Sequence, residues 1–160
     1  MIFKSNHDIH IYYFSEAEFR GQLYLVNPKL VICLDLFRAS WGAPVDISPH
    51  PGAIGRVSGT WHDYEKHGSI HAVDVMPRGM NSEKEARRAL KAAINSGFTG
   101  IGIYPHWRPA PGLHVDVRTD RVYMKPALWG GIRQINDETG TRTGKQVYVS
   151  TDEAFKEFDA

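Results

Sequence analysis

The stretch from Ile70 to Val117, IHAVDVMPRGMNSEKEARRALKAAINSGFTGIGIYPHWRPAPGLHVDV, decides the fold. Ile70 to Met76 alternates toward a strand and stops at Pro77, whose ring removes a ladder donor. Ser82 and Glu85 stand at capping-box spacing, and Ala86, Ala89, Leu90, Ala93 and Ile94 recur as one apolar stripe before Gly97. That is a complete helix signature from N-cap to C′. Ile101 to Tyr104 and Leu113 to Val117 read as two further strands, joined by the loop PHWRPAPG. A strand, a helix and then two strands in succession do not alternate as a doubly wound fold requires. They predict an α+β chain, a single domain over 1–160 with a small antiparallel sheet flanked by helices.

Reading outward toward the N-terminus, Asn27 and Pro28 supply an N-cap and an N1 proline for a helix whose apolar positions Leu30, Val31, Leu34 and Phe37 run to Gly42. Ile32, Cys33 and Leu36 fill its other faces, so this helix is expected to be central and buried, with Cys33 a core thiol. Ser15 and Glu18 form another capping box, with Phe14 and Phe19 placed as a hydrophobic staple. Val45 to Ser48 makes a short strand. The following segment, SPHPGAIGRVSGTWHDYEKHGS, is rich in Gly, Pro, Ser and His without periodicity, which predicts a long loop of the kind that carries function. Toward the C-terminus, Gln146 to Val149 reads as a strand, and Ser150 with Glu153 caps a terminal helix.

Composition narrows the chemistry. The 160 residues carry 19 Lys plus Arg against 18 Asp plus Glu, so there is no basic footprint for nucleic acid or for a stable membrane association. One Cys cannot build a thiolate metal cluster or an internal disulfide. Any metal must therefore be held by His and carboxylates, and the chain has eight His. His7, Asp8 and His10 interrupt the N-terminus where a signal peptide would be continuously apolar, and no stretch of about 18 apolar residues exists. The expectation is a chain made in the cytoplasm without a signal peptide.

Three His lie between positions 62 and 71, just ahead of Asp74, and His114 follows in a later strand. A catalytic zinc takes three N or O protein ligands and leaves a fourth position for a water whose pKa falls to about 7. If the strands holding Asp74 and His114 pair, both side chains project from one sheet face and a loop His closes the third corner. His71 sits an odd number of residues from Asp74, which reverses its face and makes it a supporting or exposed residue.

The segments Thr60-Trp61-His62, Ala72-Val73-Asp74 and Gly112-Leu113-His114-Val115-Asp116 resemble the zinc D-Ala-D-Ala carboxypeptidase and L-alanyl-D-glutamate endopeptidase family, whose peptidase domain is similar to the hedgehog N-terminal domain. The resemblance is strongest over residues 12–118, where Phe14 to Phe19 looks like the entry helix and Pro28 to Ile47 like the central helix and following strand. Residues 119–160, including Pro126 to Gly130, resemble the tails of phage-type members. The resemblance implies Zn2+ held by His62, Asp74 and His114. The family's commoner spacing would select His67 instead of His62, but Ser/Thr-x-His fits Thr60-Trp61-His62 and Glu65 stands where His67 would need Ser or Thr.

Many members place an acid three residues before the last His, and here that position is Pro111. Asp116, on the same strand face as His114, is then the candidate general base or a carboxylate orienting His114, with His106 the alternative for proton transfer. Arg56 occupies the place where the family offers an Arg to a substrate carbonyl or carboxylate. Trp61, Tyr104 and Trp107 are available to line a cleft. The resemblance implies a monomeric zinc metallopeptidase acting on bacterial peptidoglycan peptides, an endolysin-like enzyme reaching the wall after release. A non-enzymatic zinc-binding domain of the same fold, a structural or recognition part, is the alternative. A non-haem iron oxygenase would need a later His after His114-Val115-Asp116. The glycines at 97, 100 and 102 lie in the wrong context for a dinucleotide, and no Gly-x-Ser-x-Gly elbow exists.

Overall fold

The computed structural model describes residues 1–4 and 8–160, so His7 lies outside the described residues. Twelve regular elements follow in chain order: β1 (Ile2–Lys4), β2 (Asp8–His10), α1 (Pro28–Trp41), β3 (Val45–Ile47), α2 (Tyr64–His67), β4 (Ala72–Pro77), α3 (Glu83–Asn95), β5 (Gly100–Tyr104), β6 (Gly112–Asp116), β7 (Ala127–Arg133), β8 (Gln146–Val149) and α4 (Thr151–Lys156). The α+β class stands. The main sheet has six strands in the order β3-β4-β6-β5-β7-β8, and β1 pairs with β2 apart from it.

The main sheet is mostly antiparallel, as expected, but it has six strands and one parallel pair: β7 runs parallel to β5, with Gly102 opposite Trp129. In the fold, a Cβ on Gly131 would fall 2.2 Å from the Tyr104 ring, so the strand carries glycine to let that ring lie against it.

The caps form much as the sequence implies. Asn27 accepts the Lys29 N–H and Gly42 closes α1 at φ 79°. Ser82 accepts the Glu85 N–H at the start of α3, although the Glu85 carboxylate pairs with Arg88 rather than turning back to the cap. Phe14 and Phe19 meet with ring centroids 5.9 Å apart around a 3-10 turn at Glu16–Phe19. α1 buries Leu30, Val31, Cys33, Leu34, Phe37 and Trp41 but leaves Ile32 and Leu36 exposed. It is therefore a one-sided helix, not one covered all round. Burial pushes the Cys33 thiol up to about 11, as befits a core residue.

The two faces of the sheet have different tasks. Val73, Val75, Ile101, Ile103, Leu113 and Val115 are all fully buried on the face that joins the helical core. α3 and α4 pack over β5 and β7 on that side, and α1 packs on α3. Because side chains alternate, Asp74, His114 and Asp116 project from the opposite face.

Candidate metal centre and cleft

Register places the two sheet-borne residues. Asp74 on β4 lies directly opposite His114 on β6, so the two side chains share a face and stand side by side. Asp116 follows two residues later on β6, on that same face. His62 arrives from the long loop. Trp61 C=O accepts the His71 N–H, and His71 C=O accepts the Val117 N–H, which ties the loop to the end of the sheet. Asp63 then organises the backbone around His62: its carboxylate accepts the N–H groups of Ser58, Gly59, Glu65 and Lys66, capping α2.

The result is a triangle of ligand atoms. His62 Nε2 lies 3.2 Å from His114 Nδ1, and Asp74 Oδ1 lies 3.4 Å from His62 Nε2 and 3.2 Å from His114 Nδ1. A tetrahedral ion with bonds of about 2.0–2.1 Å requires ligand atoms about 3.3–3.4 Å apart, so the donor set and its spacing fit a metal. A metal can be held by His62, Asp74 and His114, all three of them buried. His67, the alternative first ligand, is elsewhere, stacked on Trp61 at 4.1 Å between ring centroids.

Outer contacts select which nitrogen faces the triangle. His114 Nε2 donates to Asp116 Oδ2 at 2.7 Å, leaving Nδ1 to point at Asp74 and His62. Asp116 is fully buried and also accepts from Arg118, with Nη2 at 2.6 Å from Oδ2. Asp116 therefore orients His114, and the role of free base does not suit a carboxylate so fully committed. On the other side, His62 Nδ1 is buried without a hydrogen-bond partner among the described residues.

Charge is balanced inside this cluster. Burial alone would drive the Asp74 carboxyl up, but hydrogen bonds from His114 and His62 hold it well below the usual carboxylate range. Burial would likewise depress His114, yet its bonds to Asp116 and Asp74 push it up, whereas burial prevails at His62 and lowers it. A metal ion entering the triangle would supply positive charge beside the Asp74 carboxylate and would need both imidazoles neutral.

Around the triangle a cleft opens in two arms. One, of about 400 Å³, is lined by Trp61, Thr60, Arg118, Trp129 and His62. The other, of about 390 Å³, is lined by Ser48, His50, Asp74, His106, Trp107, Arg108, Arg133 and Gln146. Arg56, Tyr104, His114 and Tyr148 line both. Arg56 stands at the junction, its Nη1 2.7 Å from Gly52 O and 3.5 Å from Asp74 Oδ2, with part of the guanidinium exposed. Trp61, Tyr104 and Trp107 all line the cleft, as their sequence positions suggested, and Trp107 stacks on Tyr104 at 4.2 Å.

His106 reaches the cleft, but both ring nitrogens are occupied. Nδ1 accepts the Arg133 N–H at 3.0 Å, which leaves Nε2 to donate to Glu157 at 3.2 Å. His71 is buried rather than exposed, with Nδ1 donating to Ser69 O at 2.9 Å, and acts as the supporting residue its face implied.

Arg118, Tyr148 and His50 are among the cleft residues that the sequence reading missed. Arg118 continues the period-two row of His114 and Asp116, a signal that was present. Tyr148 and His50 carry none, because β8 and the 48–69 loop reach the cleft only through tertiary packing. No protein-family profile, curated protein or solved structure matches the chain. No helix among the described residues is long and apolar enough to cross a membrane.

Proposed function

We propose that the protein is a zinc-dependent peptidase of hedgehog-like architecture that cleaves an amide bond in bacterial peptidoglycan stem peptides or cross-links, as an endolysin-type enzyme does. The observation that carries this reading is the triangle of His62 Nε2, Asp74 Oδ1 and His114 Nδ1 at 3.2–3.4 Å, set where the two arms of a cleft meet. Zinc bound there would polarise an amide carbonyl and activate water at neutral pH. The chain's own residues supply the rest. Asp116 fixes the His114 tautomer, Arg56 presents a permanently charged fork of donors to a carbonyl or carboxylate, and the aromatic arm holds the peptide. A cleft open on both sides of the site accommodates chain on either side of a scissile bond.

The test is hydrolysis of purified sacculi and soluble muropeptides by the metal-loaded protein. Chelator should abolish cleavage and zinc should restore it; full activity in His114→Ala would overturn the proposal. The second reading, a metal-binding domain without turnover, draws on a specific feature. Among the described residues lining the two arms, Asp74 is the only carboxylate, and His106 is already tied to Glu157 and Arg133. Tight zinc binding with intact sacculi after long incubation would favour it.

A further inference from the structure

Tyr104 sits in the cleft floor with unusual precision of support. It is the last residue of β5, two along from Gly102, and Gly102 is the register partner of His114 on one side and of Trp129 on the other. The Trp129 indole lies flat over Gly102: a Cβ there would fall 2.5 Å from its Nε1. The Tyr104 ring fills the space over Gly131, and Trp107 stacks on it. These contacts seat the ring over β5 and β7, and the Tyr104 backbone is one inter-strand spacing, ~5 Å, from β6, the strand that carries His114.

The hydroxyl's hydrogen bonding is one-sided. Trp129 Nε1–H donates to Tyr104 Oη at 2.8 Å. That bond consumes an acceptor lone pair and orients the oxygen, and among the described residues the hydroxyl makes no second bond. Its own proton is thus left to donate into a cleft whose two arms Tyr104 lines together with Arg56 and His114.

We propose that Tyr104 is a substrate-contacting residue whose hydroxyl donates a hydrogen bond to the carbonyl oxygen of the amide under attack, opposite Arg56, while the Trp129 indole holds that hydroxyl in place. The proposal rests on the peptidase reading. It assigns a transition-state donor to a residue that composition and spacing mark only as an aromatic lining group. A phenol held by glycine-seated packing needs no rearrangement when charge develops on the oxygen, which is the condition under which such a donor accelerates reaction.

The experiment compares zinc-loaded wild type, Tyr104→Phe and Trp129→Phe on a soluble muropeptide. Three independent readouts accompany it: cobalt titration of the metal site, melting temperature, and affinity for a phosphinate pseudopeptide that mimics the tetrahedral species. Tyr104→Phe should lower kcat by about 10²- to 10³-fold with KM nearly unchanged, and weaken phosphinate binding by a similar factor. Cobalt affinity should stay the same. Trp129→Phe, which keeps the hydroxyl but loosens it, should lose less than Tyr104→Phe. An active wild type with an equally active Tyr104→Phe overturns the proposal alone. So does a Tyr104→Phe that raises KM without lowering kcat, or equal losses in both variants. An inert wild type that still binds cobalt overturns the peptidase reading, and this proposal with it.

Discussion

The two halves of the metal triangle are held by different physics. Asp74 and His114 stand on adjacent central strands of a six-stranded sheet, fixed by backbone register and backed by fully buried Val73, Val75, Leu113 and Val115. His62 comes from a segment of few regular elements, and its position depends on side-chain capping by Asp63, the stack of Trp61 on His67, and one backbone bond from His71 to Trp61. The sheet half also has an outer partner, since Asp116 and Arg118 stand behind His114, whereas His62 Nδ1 has none among the described residues. The difference teaches that strand register supplies precision without dedicated side chains, while a loop ligand needs a network of polar groups to reach comparable order.

Removing a sheet ligand should do the most damage. His114→Ala is expected to abolish metal binding, and with it the proposed hydrolysis, and also to weaken the fold. It leaves Asp74 and Asp116 buried without their shared partner, a class of change worth roughly 3–5 kcal/mol. His62→Ala should abolish metal binding with a much smaller fall in melting temperature, because Asp74 keeps its contacts with His114 and Arg56, and Asp116 loses nothing. Zinc content and thermal melts of the two variants, side by side, test the asymmetry; equal melting temperatures would break it.

Asp116→Asn probes the outer contact of the sheet half. It keeps the shape but weakens the acceptor that fixes the His114 tautomer, so metal affinity should fall about 10- to 100-fold with the fold retained. Competition with a chromophoric chelator reads this directly. An unchanged affinity would mean that strand register alone orients His114.

Asp63→Ala probes the loop half, and a loss of up to about tenfold in metal affinity is expected, since His62 is displaced rather than removed. A pH signature accompanies it. Hydrogen bonds from the backbone N–H groups, that of Gly59 foremost, lower the Asp63 pKa in the folded state. Its contribution is therefore complete above the unfolded carboxyl value of about 3.9, and it is lost as pH falls through the lower folded value. In the metal-free protein, the melting-temperature gap between wild type and Asp63→Ala should be constant from neutral pH down to about 5 and close below about 4. A gap that grows on acidification would contradict this.

The smallest effect belongs to His67→Ala. His67 stacks on Trp61 and touches no ligand atom of the triangle, so metal affinity should change less than about twofold. A loss comparable to that of His62→Ala would exchange the roles of the two residues.

Much of this was legible in the sequence, for local reasons. Asn27-Pro28, Ser82 and Ser150 announce helix starts because their side chains satisfy N–H groups within three residues. His114 and Asp116 share a face because a strand has period two. β7 was not legible: Leu128, Trp129, Gly130, Gly131 and Ile132 give no alternation, and the glycine under the Tyr104 ring reflects a contact with a strand more than twenty residues earlier. The tie of His106 to Glu157 was equally hidden. Pairings across the sheet and to the terminal segment leave no periodic trace.

What the sequence determined by itself is the donor inventory and its local placement. One Cys among eight His excludes a thiolate site, and alternation puts His114 on a strand face that also carries Asp116. What only the tertiary structure decided is which His completes the set and which carboxylates remain free. The first depends on how a 22-residue loop of Gly, Pro and polar side chains settles against the sheet. Such a loop has no periodicity to fix it. Its course is set by the buried carboxylate of Asp63 and the stacked ring of Trp61, whose energies exist only once the chain has folded around them.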